Sequence, residues 1–265
     1  GLDAHPVDLV VALERLGRWY VPGPVTESIA VAPILLAADD QADRCAALAA
    51  GDLLVTAAMP PHTPRALDAD AADLVLLASD DRVTEGVAGE RRESVDPSRH
   101  LFDVSADGPS WQASAAVVQH ASAIGALATA AQLIGGAEAL LDAAVDYAKQ
   151  RSQFGRVIGS YQAIKHKLAD VHIAVELARP LVYGAALSMD ARDISAAKAA
   201  AAEAATDAAR AALQTHGAIG YTAEHDLSLW LLRVQALRSA WGTPEAHRRR
   251  VLEAVLSEVL SEVAS

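Results

Sequence analysis

The sequence predicts a mainly α-helical protein, and three observations carry that prediction. Hydrophobic residues make up 52% of the 265 residues but aromatics only 4%, because alanine supplies much of the apolar content. Alanine is the strongest helix former, so this composition favours helix. From Ser114 onward apolar residues recur at helical spacing almost without a break. Strand-like runs are confined to the interval before that, where prolines and paired aspartates punctuate short apolar segments. Three regions follow: a helical stretch at 1–50, a β-containing stretch at 51–112 and a helical bundle at 113–265.

In the first region Val7–Leu16 is apolar with charged interruptions, Pro22-Gly23-Pro24 breaks the chain, and Glu27–Ala38 resumes the helical pattern. In the second, Leu53–Met59 and Leu74–Ser79 read as short buried strands, and Arg99–Val104 as a further one. Five helices fill the third: about 114–150, Tyr161–Met189, Ser195–His216, Leu227–Ser239, and one opening at Thr243-Pro244, an N-cap followed by proline at the first helical position. The second of these repeats apolar residues in 4-3 steps from Ile164 through Leu168, Val171 and Val175 to Ala185, keeping one face toward a neighbour. The last carries Val251, Leu252, Val255, Leu256, Val259, Leu260 and Val263, a stripe that suits core and subunit contact equally.

Charge and composition remove several function classes. With 22 Lys and Arg against 34 Asp and Glu the net charge is −12, which disfavours a nucleic-acid partner. A single cysteine, Cys45, rules out an internal disulfide and a multi-cysteine metal site. The nine histidines show no metal-ligand spacing, so no metal is expected. Ala113–Ala137 lacks Asp, Glu, Lys and Arg, yet it is mostly Ala and Gly and carries Gln119, His120, Ser122, Thr129 and Gln132. It reads as a buried helix and not a bilayer span. Gly1–Val10 has no basic flank and apolar core of a signal peptide, so the chain is expected in the cytoplasm, away from membranes.

Chemistry concentrates in two segments. The first runs Tyr147-Ala-Lys-Gln-Arg151-Ser-Gln-Phe154-Gly155 and continues through Gln162-Ala-Ile164 to Leu168-Ala169-Asp170; the second is Gln214-Thr-His216-Gly217-Ala218-Ile-Gly220-Tyr221. Arg151 follows a long helix and faces a Phe-Gly turn, where a guanidinium can grip a pyrophosphate in fork geometry beside a ring able to cover a base. Gly217 and Gly220 end an Ala-rich helix and let a ligand approach the backbone. Taken singly, Arg151 also reads as a helix cap and the glycines as a plain turn.

Together, in this order, these segments resemble the acyl-CoA dehydrogenase family. Its hallmarks are Tyr-Ala-x-x-Arg-x-x-Phe-Gly, then Gln-x-Ile-x-x-x-Leu-Ala-Asp, then Gln-x-x-Gly-Gly-x-Gly-Tyr. Leu13-Glu14-Arg15-Leu16-Gly17-Arg18, Pro22-Gly23-Pro24 and Glu27-Ser28 resemble the closing helices of the family's N-terminal domain. The resemblance implies a partial N-terminal helical domain, a reduced middle β domain and a C-terminal four-helix bundle. It also implies FAD at a subunit interface. Arg151 would meet the pyrophosphate and Phe154 with Gly155 the adenosine side. Gln162 would bond the cofactor, Gln214, His216, Gly217 and Ala218 would line the adenine end, and Thr243 would stand in the Gly-Thr loop near the flavin. Ala218 replaces the second glycine of the family's pair.

Departures from the pattern shape the functional expectation. The family's reaction needs a carboxylate to take the α-proton of a thioester while hydride leaves for the flavin. One family position for it precedes the Gly-Thr loop, where this chain has Trp241; the other falls around Gly125. No catalytic residue is therefore assigned. The family's Thr-Glu-Pro-x-x-Gly-Ser-Asp segment is replaced by Pro60-Pro61-His62-Thr63-Pro64. The resemblance then implies the non-catalytic subunit of an α2β2 acyl-CoA dehydrogenase of the actinobacterial steroid-degrading type. A full-length partner subunit would supply the glutamate, an acyl-CoA would be the substrate, and an electron-transfer flavoprotein would take the electrons. Two alternatives stand beside it: a homomeric enzyme with a relocated base such as Glu138 or Asp107, and a structural subunit without flavin.

Overall fold

In the computed structural model of the chain, residues 4–39, 41–222 and 225–263 are described. The chain falls into two compact units. One comprises Gly1–Tyr20, Thr129–Ser239 and Thr243–Ser265; the other comprises Val21–Ala128 with Ala240–Gly242.

The helical unit opens with α1 (Pro6–Arg18), whose N-terminus is closed by a reciprocal pair: His5 Nδ1 accepts from the Val7 amide and Asp8 accepts from the His5 amide. Helix α1 crosses α4 (Ala115–Gln150) backbone to backbone. A Cβ on Gly17 would stand 2.3 Å from the Gln132 carbonyl, and one on Gly135 1.9 Å from that of Glu14. No other residue type fits at this crossing. Arg18 anchors it through Glu138 (2.9 Å) and Asp142 (2.8 Å), and Arg179 reaches Glu14 at 3.3 Å. Glu138 is thus held in an ion-pair cluster, and its carboxylate is engaged in structure.

Helices α5 (Gln162–Ser188), α6 (Ala191–His216), α7 (Leu227–Ser239) and α8 (Pro244–Val263) complete the unit, close to the sequence expectation. The thirteen alanines of α6 are mostly buried, which lets α5 and α8 approach it closely. Thr243 caps α8 by accepting from the Ala246 amide at 3.2 Å, as its Thr-Pro start predicts. The stripe of α8 is exposed from Leu252 to Leu260, so it is no part of this unit's core; the side chain of Val263 lies outside the described residues. The most apolar window of α4 is 89% buried, which accounts for its uncharged run. Lys198 on α6 is fully buried, and its ammonium donates to the carbonyls of Leu237 and Arg238, both at 3.1 Å, closing the end of α7. Burial pushes that ammonium down to about 7.

The other unit holds a wide helical turn at Glu27–Val31, α2 (Ala32–Ala37), α3 (Ala42–Ala50) and a five-stranded sheet. The strands are β1 (Val55–Ala58), β2 (Arg65–Leu67), β3 (Leu74–Ser79), β4 (Arg82–Arg92) and β5 (Leu101–Gln112), in the order β1-β3-β4-β5-β2. β1 and β3 are parallel, with Val55 opposite Leu74; the remaining pairs are antiparallel. Three strands of the sheet depart from the sequence expectation. β5 runs to Gln112 and not to Val104, and neither the three-residue β2 nor β4 is among the expected strands. β4 is polar and glycine-containing, and it forms because β3 and β5 flank it. Its register shifts between Thr84 and Gly86 and again between Ala88 and Arg91. A Cβ on Gly86 would stand 2.6 Å from a Val104 methyl, so glycine is what allows the irregular pairing. Trp111 on β5 ties the sheet to α2 by donating to the Leu35 carbonyl at 3.1 Å.

Candidate functional site

The two chemistry-bearing segments meet at one end of the helical unit. After α4 the chain makes a hairpin from β6 (Ser152–Gln153) and β7 (Arg156–Val157), with Ser152 opposite Val157. Its two turn residues, Phe154 (φ 52°) and Gly155 (φ 81°), both have positive φ, as a type I′ turn requires. Glycine adopts that conformation freely; phenylalanine does so at a cost. Phe154 is nevertheless 92% exposed at the tip. The hairpin is braced from below: the Tyr161 hydroxyl donates to the Gln153 carbonyl (3.3 Å), and the Arg156 guanidinium lies 3.9 Å over the Tyr161 ring. Backbone bonds to Tyr147 (2.9 Å) and Ile158 (2.8 Å) fix Arg151 at its base. The Arg151 side chain is exposed and forms no ion pair among the described residues.

The second segment ends α6. Gly217 adopts φ 64°, ψ −140°, a conformation essentially reserved for glycine, and the space where its Cβ would lie is open. Gln214 and Ala218 are exposed. His216 is buried, bonded through Nδ1 to the Ala212 carbonyl (2.8 Å), stacked 4.3 Å from Tyr147 and edge-on to His225. Burial lowers its affinity for a proton. It therefore packs the two segments together from inside. Gln162, the first residue of α5, is exposed, while Thr243 is committed to capping α8.

Between α5 and α6 lies a cavity of about 460 Å³ lined by Ala163, His166, Lys167, Asp170, Arg210 and Gln214, among others. Lys167 donates to the Gln214 amide oxygen. Sequence reasoning did not single out Lys167 as part of this surface. Its recurrence on the face of Ala163 and Asp170 was the available signal.

The positions where a base was sought lie in the other unit, and they touch. Trp241 (φ 58°, 3% exposed) lies against Gly125: a Cβ there would stand 2.3–2.6 Å from three atoms of the indole. The indole N–H donates to Glu27 Oε1 at 3.3 Å. Glu27 is fully buried, which pushes its carboxyl up, with the Arg99 charge acting in the opposite direction. Sequence reasoning missed Glu27 as a partner of Trp241. Of the two candidate relocated bases, Glu138 is held by Arg18 and Arg179, and Asp107 is exposed on β5.

For FAD the fit divides accordingly. An unpaired guanidinium, an aromatic ring displayed on a braced turn, an open glycine and the Gln214 amide suit a phosphate-bearing purine nucleotide. At Gly125 and Trp241 the indole leaves no room for a carboxylate.

The chain is similar to several known proteins. Residues 115–256 match the family model described as acyl-CoA dehydrogenase, C-terminal domain. The chain is 31% identical over 262 residues to the acyl-CoA dehydrogenase IpdE2 of Mycobacterium tuberculosis (strain ATCC 25618 / H37Rv), covering 98% of this chain and 80% of that protein. Among solved structures it resembles the Tcur3481-Tcur3483 steroid ACAD G363A variant, with a TM-score of 0.86 at 21% identity over 95% of this chain and 81% of that one. It also resembles the ChsE4-ChsE5 complex from Mycobacterium tuberculosis, with a TM-score of 0.81 at 22% identity over 94% and 80% of the two chains. The chain belongs to the acyl-CoA dehydrogenase family.

Proposed function

We propose that this chain is the non-catalytic subunit of a heteromeric, FAD-dependent acyl-CoA dehydrogenase. One observation carries the reading: the nucleotide-facing side chains stand ready at the hairpin and the α6 terminus, while Trp241 and Gly125 fill each other's space where a base would be needed. In this assignment Arg151 holds the pyrophosphate, Phe154 and Gly155 cover the adenosine, and Gln162, Gln214, Gly217 and Ala218 line the adenine end. His216 sets the Tyr147 side of that surface from within. FAD, when bound, supplies the hydride acceptor. The proton acceptor comes from a full-length partner subunit, in an α2β2 assembly.

The substrate class is a CoA thioester, and the likeness to a protein titled a steroid ACAD favours a steroid-derived acyl group. Electrons then pass to an electron-transfer flavoprotein in the cytoplasm. Residues 1–50 belong to an N-terminal helical domain, 51–112 form a reduced β domain, and 113–265 form the bundle that grips FAD and assembles. Trp241 argues against the homomeric alternative, and the exposed Arg151–Phe154 pair argues against a flavin-free scaffold.

The test is co-expression with a full-length acyl-CoA dehydrogenase homologue from the same genome. The lone chain is expected colourless, and the complex yellow with one FAD per heterodimer. A yellow, active lone chain overturns the proposal.

A further inference from the structure

Helices α5 and α6 run antiparallel from the Met189–Asp190 turn, so the start of one lies beside the end of the other. Lys167, in the second turn of α5, is thereby set against Gln214, in the last turn of α6. Lys167 is half-buried, Gln214 is exposed, and both line the cavity between the two helices. Asp170 and Asp207 line it as well. Asp207 is engaged by Arg210 at 3.8 Å, and among the described residues Lys167 forms an ion pair with neither acid. Its ammonium donates to the Gln214 amide oxygen. A glutamine amide carries an acceptor on one arm and two donors on the other, and an exposed one can present either. An ammonium has donors only, so the oxygen is the arm it takes. The NH2 arm of Gln214 is left over, with no partner among the described residues.

We infer that Lys167 is a positioning residue for the cofactor: by holding the Gln214 oxygen it fixes that amide as a hydrogen-bond donor to the adenine. The inference rests on the proposed role of Gln214 at the adenine end of FAD. Adenine's ring nitrogens are acceptors, so an amide that offers NH2 matches them and one that offers its carbonyl does not. Fixing the amide beforehand also removes an ordering cost that binding would otherwise carry. The plain alternative is that Lys167 attracts the diphosphate as a point charge. The two roles separate cleanly, because the first acts only through Gln214 and the second does not need it.

The experiment is a double-mutant cycle in the purified complex, stripped of flavin and titrated with FAD while flavin fluorescence reports the affinity and circular dichroism the fold. Gln214→Ala should weaken binding about tenfold and Lys167→Met about threefold, the range of a neutral hydrogen bond lost or loosened. Added to Gln214→Ala, Lys167→Met should weaken binding no further. Lys167→Arg, which keeps a donor able to reach the amide oxygen, should stay within about twofold of the wild type. Lys167→Ala serves in the cycle if Lys167→Met does not fold. Losses that multiply in the double variant overturn the inference, because Lys167 then acts without Gln214. Unchanged affinity in either single variant overturns it too, as does a loss in Lys167→Arg as large as in Lys167→Met. If no complex forms, or the complex takes up no FAD, the heteromeric reading itself fails and this inference falls with it; FAD bound with a multiplicative cycle is the failure of this inference alone.

Discussion

Gly125→Ala adds one methyl group to α4 at the point where Trp241 rests, and its effect follows from two opposed contributions. Replacing glycine by alanine inside a helix stabilises by about 1 kcal/mol. The new Cβ would stand 2.3–2.6 Å from three ring atoms of an indole that is 3% exposed and hydrogen-bonded to Glu27, so the ring has nowhere easy to go. Overpacking of this kind costs about 3 kcal/mol. The net expectation is a loss of about 2 kcal/mol. Gly136, on the same helix, provides the control: an added Cβ meets nothing closer than a Val234 methyl at 3.7 Å, an ordinary contact. Gly136→Ala keeps the helix gain of about 1 kcal/mol without the clash. The two variants should differ by about 3 kcal/mol, or roughly 6–12 °C in melting temperature for a chain of this size. Thermal denaturation followed by circular dichroism measures the difference. Because Trp241 is nearly buried, its fluorescence should also shift in the Gly125 variant alone. Equal stabilisation of both proteins would mean that the indole does not occupy the space beside Gly125, and the argument for a closed base position would fall with it.

Three further outcomes are expected. Arg151→Ala removes a charge-assisted hydrogen bond to a phosphate, so FAD retention in the complex should weaken by about 1.5–3 kcal/mol, roughly ten- to a hundredfold, as read from flavin content after gel filtration; unchanged content would contradict the assigned role. Lys198 holds its proton less tightly when folded, with a pKa of about 7 against an ordinary 10.5, so between those values the unfolded chain binds more protons and stability rises with pH. The wild type should therefore lose about 1 kcal/mol per pH unit relative to Lys198→Met as pH falls from 10 toward 7, visible in urea midpoints; parallel curves would refute it. Trp241→Glu should leave the lone chain inactive toward acyl-CoA and less stable, since it sets a second carboxyl beside Glu27 in a buried site; turnover without a partner subunit would contradict the proposed division of labour.

Local chemistry made most of the fold legible. The helices of the bundle have boundaries that caps, prolines and glycines announce: Thr243-Pro244 opens α8, and Gly217 closes α6. The strand Leu74–Ser79 was legible because it is a continuous apolar run ending at two aspartates. β4 was not, because Arg82–Arg92 is held by its neighbours and not by its own composition. At the candidate site the same contrast holds. Arg151, Phe154, Gln214 and Gly217 belong to dense local motifs that a reader of the sequence meets directly. The inward turn of His216 depends on the Tyr147 ring, which reaches it from another helix. Long-range packing of that sort leaves no mark on local pattern.

The contact between Gly125 and Trp241 gains its meaning from the same fact. Each position could be read in isolation as a missing carboxylate, and either absence alone could be compensated by the other. The structure makes them neighbours, so compensation is closed from both sides: a carboxylate at 125 meets the indole, and one at 241 meets Glu27. The indole is also anchored, through its N–H, to a buried carboxyl whose pKa burial pushes up. An anchored ring in a filled interior is a different condition from a site that has merely lost its catalytic residue. A vacated pocket could regain activity by one substitution, whereas here the base, the indole and the buried acid would have to change together. Under the proposed division of labour, dependence on a second polypeptide is a property of the packing and not of a single residue.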